Sequence, residues 1–197
     1  MSRVRALRSY AIVTLTCLFG GTACADDEKR PARAGSAALA ELEIGQPAPE
    51  FVLKSFDGAE VTLADLKDKI VVLEWFNTDC PVCKKYCEKM KELAAKLGEK
   101  GVVWLAVDST HFRKAEENKA YAKKQNLPYP ILSDFDGTFG KKYGAKTTPH
   151  MFVIDKGKLA YRGAIENEQD GKNYVEAAVT ALLDGRPVAT SKTRPFG

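Results

Sequence analysis

A nearly continuous run of apolar residues at positions 70–76 limits the folds that this chain can adopt. Six of its seven side chains are apolar, and only Glu74 is charged. Such a run is typical of a strand that is covered on both faces, as in a sheet with parallel strands. Residues 81–97 then carry apolar side chains at helical spacing, and residues 102–107 repeat the buried-strand pattern. The succession of strand, helix and strand predicts an α/β domain built around a central sheet.

Weaker patterns on either side complete the predicted order of elements. Asp57-Gly58 indicates a hairpin turn between two short strands. The remaining predicted elements are hairpin strands at 51–53 and 61–62, a polar helix at 114–125, a short strand at 131–132, a helical turn at 139–143, an antiparallel pair at 151–154 and 159–161, and a last helix at 174–183. This order predicts a mixed central β-sheet flanked by helices, with a β-hairpin at its N-terminal end.

The N-terminal residues 1–25 have the pattern of an export signal. Three arginines precede a short apolar stretch, and Ala23-Cys24-Ala25 offers a small-x-small cleavage pattern. Two alternatives are lipidation at Cys24 and an uncleaved membrane anchor. Each of the three interpretations places the domain outside the cytoplasm, so we expect an exported, periplasmic protein that is attached to a membrane only in the last two cases.

The rest of the chain divides into three predicted parts. Residues 26–44 are rich in alanine, small and charged residues, which is typical of a flexible linker. We expect a single folded domain over residues 45–185 and an irregular, polar tail over residues 186–197.

Charge and motifs exclude two broad classes of function. The formal net charge is +4, and removal of residues 1–25, which contain three arginines and no acids, reduces it to +1. A nearly neutral domain gives no electrostatic basis for binding nucleic acid. The chain also contains neither a GxGxxG motif nor a P-loop, so nothing in it supports a nucleotide-driven enzyme.

Three cysteines lie within eight residues, and this cluster points to chemistry at sulfur. Of the five cysteines, Cys17 and Cys24 belong to the predicted signal, which leaves Cys80, Cys83 and Cys87. Disulfides that staple small exported domains use scattered, paired cysteines. A single local cluster has nothing distant to staple, so we expect it to react.

Cys80-Pro81-Val82-Cys83 is a CxxC motif at the predicted start of a helix. The free N–H groups and the positive end of the helix dipole favour a thiolate at Cys80. Pro81 suits the first helical turn because that position needs no N–H donor. Cys83 follows one turn later, close enough to form a disulfide with Cys80. We predict that Cys80 is the nucleophile and that Cys83 resolves the mixed disulfide.

Glu74 is the predicted acceptor of the Cys83 proton. It is the one charged residue in an apolar strand and stands six residues before Cys80. Strongly perturbed acids are common at functional sites. The alternative interpretation is that Glu74 lies at a sheet edge, where solvent covers it.

Two other interpretations of the thiols are a metal clamp and a pair of inert buried cysteines. Three thiolates could contact a metal, but His111 and His150 are distant in sequence and no second CxxC exists, so a closed zinc site has no support. We therefore expect no metal, and no cofactor other than a redox-active Cys80–Cys83 disulfide. Cys87 follows Cys83 by one further turn and could be a third redox thiol, a disulfide partner or a small buried apolar residue.

Three stretches of sequence resemble the thioredoxin-like superfamily, specifically its exported redoxin branch of alkyl hydroperoxide reductase/thiol-specific antioxidant-like and TlpA/ResA-like proteins. They are residues 45–51, 72–83 and 147–155, within a resemblance that covers residues 44–185.

This resemblance implies a thioredoxin-like fold with an inserted β-α unit. It implies that Pro149 follows a cis peptide bond beside the CxxC motif and that Thr148, Pro149 and Pro81 contact the substrate. Glu74 falls at the position where thioredoxins keep a buried acid.

The expected function is that of an exported thiol–disulfide oxidoreductase that exchanges disulfides with protein substrates and with a separate redox partner. A peroxiredoxin-like thiol peroxidase that acts on peroxides is the first alternative. The resemblance argues against it, because Leu73 and Asn77 occupy positions where peroxiredoxins keep a proline and a threonine. A copper-binding protein is the second alternative, since copper(I) favours soft thiolates.

Overall fold

Seven strands form one mixed sheet in the computed structural model, which describes residues 42–197. The predicted export signal over residues 1–25, with Cys24, and nearly all of the predicted linker lie outside the described residues. Across residues 42–197, no helix combines the length and the apolar character that a membrane span needs.

The strands run in the spatial order β2-β1-β5-β4-β3-β6-β7. Their bounds are β1 Val52–Ser55, β2 Glu60–Thr62, β3 Ile70–Trp75, β4 Val103–Asp108, β5 Ile131–Ser133, β6 His150–Asp155 and β7 Lys158–Gly163. The helices are α1 Pro81–Gly98, α2 Ala115–Gln125, α3 Thr138–Tyr143 and α4 Tyr174–Leu183, and a 3-10 turn spans Ala64–Leu66. The predicted α/β class, the N-terminal hairpin and the inserted unit of β4 and α2 are confirmed.

β3 lies inside the sheet, which explains why its sequence is almost continuously apolar. It pairs parallel with β4 on one side and antiparallel with β6 on the other. Helices and loops cover both of its faces, so five of its six residues are buried. A strand in this position can carry a charged side chain only if protein groups replace the water that the charge loses.

Side-chain alternation along β3 assigns its residues to two different cores. Val72 packs into a core with α1, α2 and α4. Leu73 and Trp75 pack on the opposite face with α3 and the segment around Phe51. Because alternation repeats every two residues, Glu74 projects from the same face as Val72, toward α1.

The segment that follows α4 packs along the outer edge of β7. The N–H of Arg162 donates to the carbonyl of Ser191 at 3.0 Å, and the N–H of Thr193 donates to the carbonyl of Arg162 at 3.1 Å. At its end, the Thr147 hydroxyl donates to the carbonyl of Gly197 at 2.8 Å. Polar composition alone did not indicate this packing, which brings the last residues next to the loop before β6.

Candidate active site

The CxxC motif begins α1, immediately after the loop that leaves β3. Asn77 shapes this loop: its side-chain oxygen accepts from the N–H of Asp79 at 2.7 Å, and its carbonyl accepts from the N–H of Cys80 at 3.1 Å. Cys80 is the N-cap residue with extended backbone angles (φ −63°, ψ 121°), and Pro81 is the first helical residue. The sequence folds in this way because Pro81 disfavours a helical conformation at Cys80 and needs no N–H partner itself.

The Cys80 sulfur lies at the rim of the domain, where it is partly exposed. Its Sγ accepts a hydrogen bond from the N–H of Cys83 at 3.5 Å, and the thiol donates to the carbonyl of Thr148 at 2.9 Å. Partial burial works against ionisation. The Thr148 side chain and the backbone N–H groups of Cys83 and Val82, which hydrogen-bond the sulfur in its ionised form, outweigh this effect, so the pKa of the Cys80 thiol is lowered.

Sheet pairing brings the Thr148-Pro149 loop to this rim from the other half of the domain. Trp75, the last residue of β3, pairs with His150, the first residue of β6. The loop that leaves β3 and the loop that enters β6 therefore meet at one edge of the sheet. The Thr148-Pro149 peptide bond is cis, and Pro149 is buried while Thr148 is partly exposed.

Cys83 occupies a different environment, although it lies only one helical turn from Cys80. Its side chain points into the core below α1, and the residue is 1% exposed. Burial, followed by the negative charge of nearby Glu74, raises the pKa of the Cys83 thiol well above its ordinary value. Cys83 therefore stays protonated unless a neighbouring group takes its proton.

Glu74 is buried in the same core, and two aromatic side chains bind its carboxyl group. Glu74 is 1% exposed, and the indole N–H of Trp104 donates to its Oε2 at 3.0 Å. The Tyr129 hydroxyl is a second hydrogen-bond partner. Burial is the dominant influence and raises the pKa of Glu74 to about 7, while both hydrogen bonds work in the opposite direction. The interpretation of Glu74 as a solvated residue at a sheet edge is wrong.

Cys87 lies one turn deeper along α1 and is buried. The Tyr121 hydroxyl on α2 is 3.9 Å from its sulfur. Burial raises the pKa of the Cys87 thiol. These surroundings are those of a small buried residue and not of a thiol at the rim beside Cys80.

The histidines do not join the cysteines. His111 is exposed, whereas His150 is buried with its ring 4.4 Å from that of Phe152 on the sheet face opposite α1. Within residues 42–197, no group of three or more His, Cys, Asp or Glu side chains is arranged to hold a metal ion.

Sequence reasoning missed Trp104 and Tyr129, which bind Glu74. Trp104 pairs with Val72 across β3 and β4, so it projects from the same sheet face as Glu74. A parallel register of this kind cannot be read from one sequence. A tryptophan and a tyrosine in apolar segments look like ordinary core residues, and the one available signal was that each carries a polar atom that needs a partner when it is buried.

Comparison with known proteins gives the same class as the geometry. The model of the AhpC/TSA family matches residues 44–162. The chain is 37% identical over 137 residues to the thiol-disulfide oxidoreductase ResA of Bacillus thuringiensis subsp. konkukian, which covers 69% of this chain and 77% of that protein. A protein of Coxiella burnetii that carries the name peroxiredoxin bcp is 32% identical over 112 residues, 56% of this chain and 72% of that protein.

A solved structure supports the fold assignment. The crystal structure of a protein from Chlorobium tepidum, described as a thiol:disulfide interchange protein DsbE, superimposes with a TM-score of 0.64 at 26% identity, covering 73% of this chain and 99% of that chain. Together, the sheet and the paired thiols at the start of α1 define an oxidoreductase of the thioredoxin-like superfamily. Within that superfamily, the chain belongs to the AhpC/TSA family.

Proposed function

We propose that the protein is a thiol–disulfide oxidoreductase that exchanges disulfides with protein substrates through Cys80 and Cys83. The observation that carries the proposal is the contrast between two thiols one helical turn apart. Cys80 is at the rim, and the pKa of its thiol is lowered. Cys83 is buried beside Glu74, and the pKa of its thiol is raised. The first thiol is suited to attack an incoming disulfide, and the second to act only after that attack.

The first step joins Cys80 to the substrate. The Cys80 thiolate attacks one sulfur of the substrate disulfide, forms a mixed disulfide, and releases the other substrate sulfur as a thiolate that takes a proton from water. We expect the substrate chain to bind next to the Cys80 sulfur along the partly exposed backbone of Thr148, with buried Pro149 beneath it and exposed Pro81 at the border of the same surface.

The second step closes the Cys80–Cys83 disulfide. Cys83 transfers its proton to the Glu74 carboxylate, and its sulfur attacks Sγ of Cys80. The bond between Cys80 and the substrate sulfur breaks, and that sulfur leaves as a thiolate that takes a proton from water. The substrate disulfide has gained two electrons and two protons, and the protein dithiol has become a disulfide. A separate redox partner resets the pair, and in the reverse direction the same steps oxidise substrate thiols.

The predicted location belongs to this proposal. Disulfide exchange outside the cytoplasm needs an export route, and residues 1–25 carry the pattern of a signal. We propose that the protein works in the periplasm, either free or held at the membrane through Cys24 or through an uncleaved signal.

Peroxide reduction is a second candidate function, because the family and the relative in Coxiella burnetii include this chemistry in their names. Here Cys80 would be oxidised by peroxide to a sulfenic acid, and Cys83 would displace water from it to form the disulfide. The hydrophobic side chain of Leu73 on the opposite sheet face and the amide of Asn77 do not reproduce the proline and threonine that peroxiredoxins keep.

Insulin reduction tests the proposed function. The wild-type protein, supplied with dithiothreitol, is expected to accelerate the reduction of insulin disulfides, and Cys80→Ser is expected to reduce the rate to that of dithiothreitol alone. Activity that is unchanged in Cys80→Ser would contradict the assignment of the nucleophile. Stopped-flow mixing with hydrogen peroxide separates the second candidate: a rate constant no greater than that of a free thiol excludes peroxidase function.

A further inference from the structure

The carboxyl group of Glu74 is bound by side chains from elements other than α1. The Trp104 indole N–H donates to Oε2 at 3.0 Å, and the Tyr129 hydroxyl is its second partner. The centres of the two aromatic rings are 5.8 Å apart, and the residues are 5% and 6% exposed. Two buried donors therefore converge on one buried carboxyl group.

The sheet fixes these donors independently of the loop that carries Cys80. Trp104 is on β4, two residues before Ala106, which is paired with Glu74. Tyr129 is in the segment that enters β5, the next strand after β4 in the sheet. Strands β3 and β4 thus supply the acid and one donor, the segment that enters β5 supplies the other donor, and α1 supplies the Cys83 thiol.

We propose that Trp104 and Tyr129 are positioning residues for the second step, because they keep Glu74 ionised and oriented to accept the proton of Cys83. The inference rests on the proposed function of Cys80 and Cys83 and adds the residues that control the base. Burial alone favours a protonated Glu74, which has no capacity for the Cys83 proton. Each donor stabilises the carboxylate and so restores that capacity near neutral pH.

The other groups that face Glu74 remain neutral in the relevant range of pH. They are the thiols of Cys83 and Cys87 on α1 and the hydroxyl of Tyr121 on α2, and burial raises the pKa of each. The neighbouring strands place Ala106 and Met151 opposite Glu74, and neither titrates.

Cys80 also titrates nearby, but in the second step its sulfur is bonded to the substrate and carries no proton. Within the described surroundings, the pH dependence of the second step therefore reports on Glu74.

Reaction of the reduced protein with 2,2′-dithiodipyridine separates the two steps in one stopped-flow trace. The first release of pyridine-2-thione reports attack by Cys80, and the second reports closure of the disulfide by Cys83. The probe is uncharged and releases a coloured product over a wide range of pH, so each phase gives its own pH profile.

We expect Tyr129→Phe and Trp104→Phe to leave the first phase unchanged and to alter the second. Loss of one hydrogen bond to a charged group raises the pKa of that group by about one unit. The rate of the second phase is expected to rise with pH as Glu74 ionises. In each variant this rise is expected to occur about one pH unit higher, which makes the second phase about tenfold slower on the acid side of neutrality. At high pH the rate is expected to return to the wild-type value.

Two further variants serve as controls for this measurement: one should keep the wild-type pH profile, and the other removes the acid itself. Tyr143→Phe is the matched control, because it removes a buried hydroxyl that donates to the carbonyl of Pro49 at 2.9 Å on the opposite sheet face. It is expected to keep the wild-type profile. In Glu74→Gln, the rate of the second phase is expected to lose this rise with pH and to remain slow near neutral pH.

The shift of the pH profile is the result that a merely structural role would not produce. If both phenylalanine variants retain the wild-type midpoint, or are slow at every pH without a shift, the inference is wrong even though the first phase remains. If the wild-type protein shows no first phase, the proposed function itself fails, and the inference falls with it. Tyr129→Phe keeps its ring in the core, so it tests the inference even if Trp104→Phe does not fold.

Discussion

The rim around Cys80 and the buried pocket below Cys83 give the same side chain two different chemistries. At the rim, backbone N–H groups and a nearby threonine act on a partly exposed sulfur and lower its pKa. In the pocket, desolvation and the charge of Glu74 raise the pKa of the second sulfur. The start of one helix spans both regions. Cys80, the proposed nucleophile, and Cys83, the proposed resolving thiol, therefore lie only three positions apart in the sequence.

The comparison also shows that the two regions have different structural origins. The rim is made of loops that meet where β3 ends and β6 begins. The pocket is made of side chains from β3, from β4, from the segment that enters β5 and from α1. Substitutions in the pocket should therefore change the second step without changing the first, and substitutions at the rim should do the reverse.

The largest expected effect comes from Cys83→Ser, which removes the thiol of the pocket and leaves the rim intact. Turnover in the insulin assay should fall by roughly a thousandfold or more, because a reacting group is lost. Cys80 should still attack, so a stable mixed disulfide with the substrate should accumulate and be visible by mass spectrometry. Absence of this adduct, or the same adduct in Cys80→Ser, would break the assignment of roles.

The second effect concerns stability, because a buried acid with a raised pKa destabilises the fold as pH increases. Between pH 4.5 and 7 the unfolded chain releases the Glu74 proton while the folded chain retains it, so stability falls as pH rises. A shift of the Glu74 pKa from 4.5 to about 7 corresponds to a decrease of about 3 kcal/mol in the free energy of unfolding.

Urea unfolding of the reduced protein at pH 4.5 and pH 8 measures this loss. Glu74→Gln cannot titrate, so the wild-type protein should lose about 3 kcal/mol more than the variant between these pH values. Parallel stability curves for the two proteins would show that Glu74 is not buried in the way described.

A third, smaller effect is expected on the rim side, at Gly163 on the last strand. An alanine Cβ there would lie 2.1 Å from the hydroxyl oxygen of Thr193 and 2.7 Å from its carbonyl oxygen, and φ is +145°. Gly163→Ala should release the C-terminal segment from β7 and lower the free energy of unfolding by about 2 kcal/mol.

Amide hydrogen exchange checks this outcome at Thr193, where protection should decrease. Gly98→Ala is the matched control, since its Cβ meets no atom within 4 Å. The second phase of the dithiodipyridine reaction should stay unchanged in Gly163→Ala. A slower second phase would mean that the rim and the pocket are coupled.

The smallest expected effect is at the ion pair between Asp79 and Arg113, beside the CxxC loop. Asp79 is mostly exposed, and Arg113 also pairs with Glu117. The Arg113 side chain is largely buried, but water screens the charge of Asp79, so we expect this pair to contribute less than about 1 kcal/mol. Asp79→Asn, which leaves Arg113 and its pair with Glu117 in place, should therefore change stability by less than that amount in urea unfolding, and a larger loss would show that the pair fixes the loop.

The sequence predicted the elements of the fold well because each depends on local signals. The apolar run over residues 70–76 became the buried strand β3, and Tyr174–Leu183 is a helix as predicted. The helix predicted to stop before Gly98 includes that residue, because the chain turns only at Gly101, where φ is +81°.

The candidate site was predicted only as far as its residues are close in sequence. Cys80, Pro81 and Cys83 follow from one motif, and Glu74 follows from a charge in an apolar strand. Trp104 and Tyr129 could not be found in this way, because their contact with Glu74 depends on the register of β3 and β4 and on the path of the chain into β5. The packing of Thr193 on β7 depends in the same way on contacts between distant segments.

Alkylation of the two thiols as a function of pH tests the contrast between the rim and the pocket most directly. The reduced protein is treated with iodoacetamide at a series of pH values, and modification of Cys80 and Cys83 is measured separately by peptide mass spectrometry. Cys80 is expected to react with a midpoint pH below that of an ordinary cysteine, and Cys83 is expected to stay unmodified throughout that range. Equal profiles for the two thiols, or earlier modification of Cys83, would contradict it.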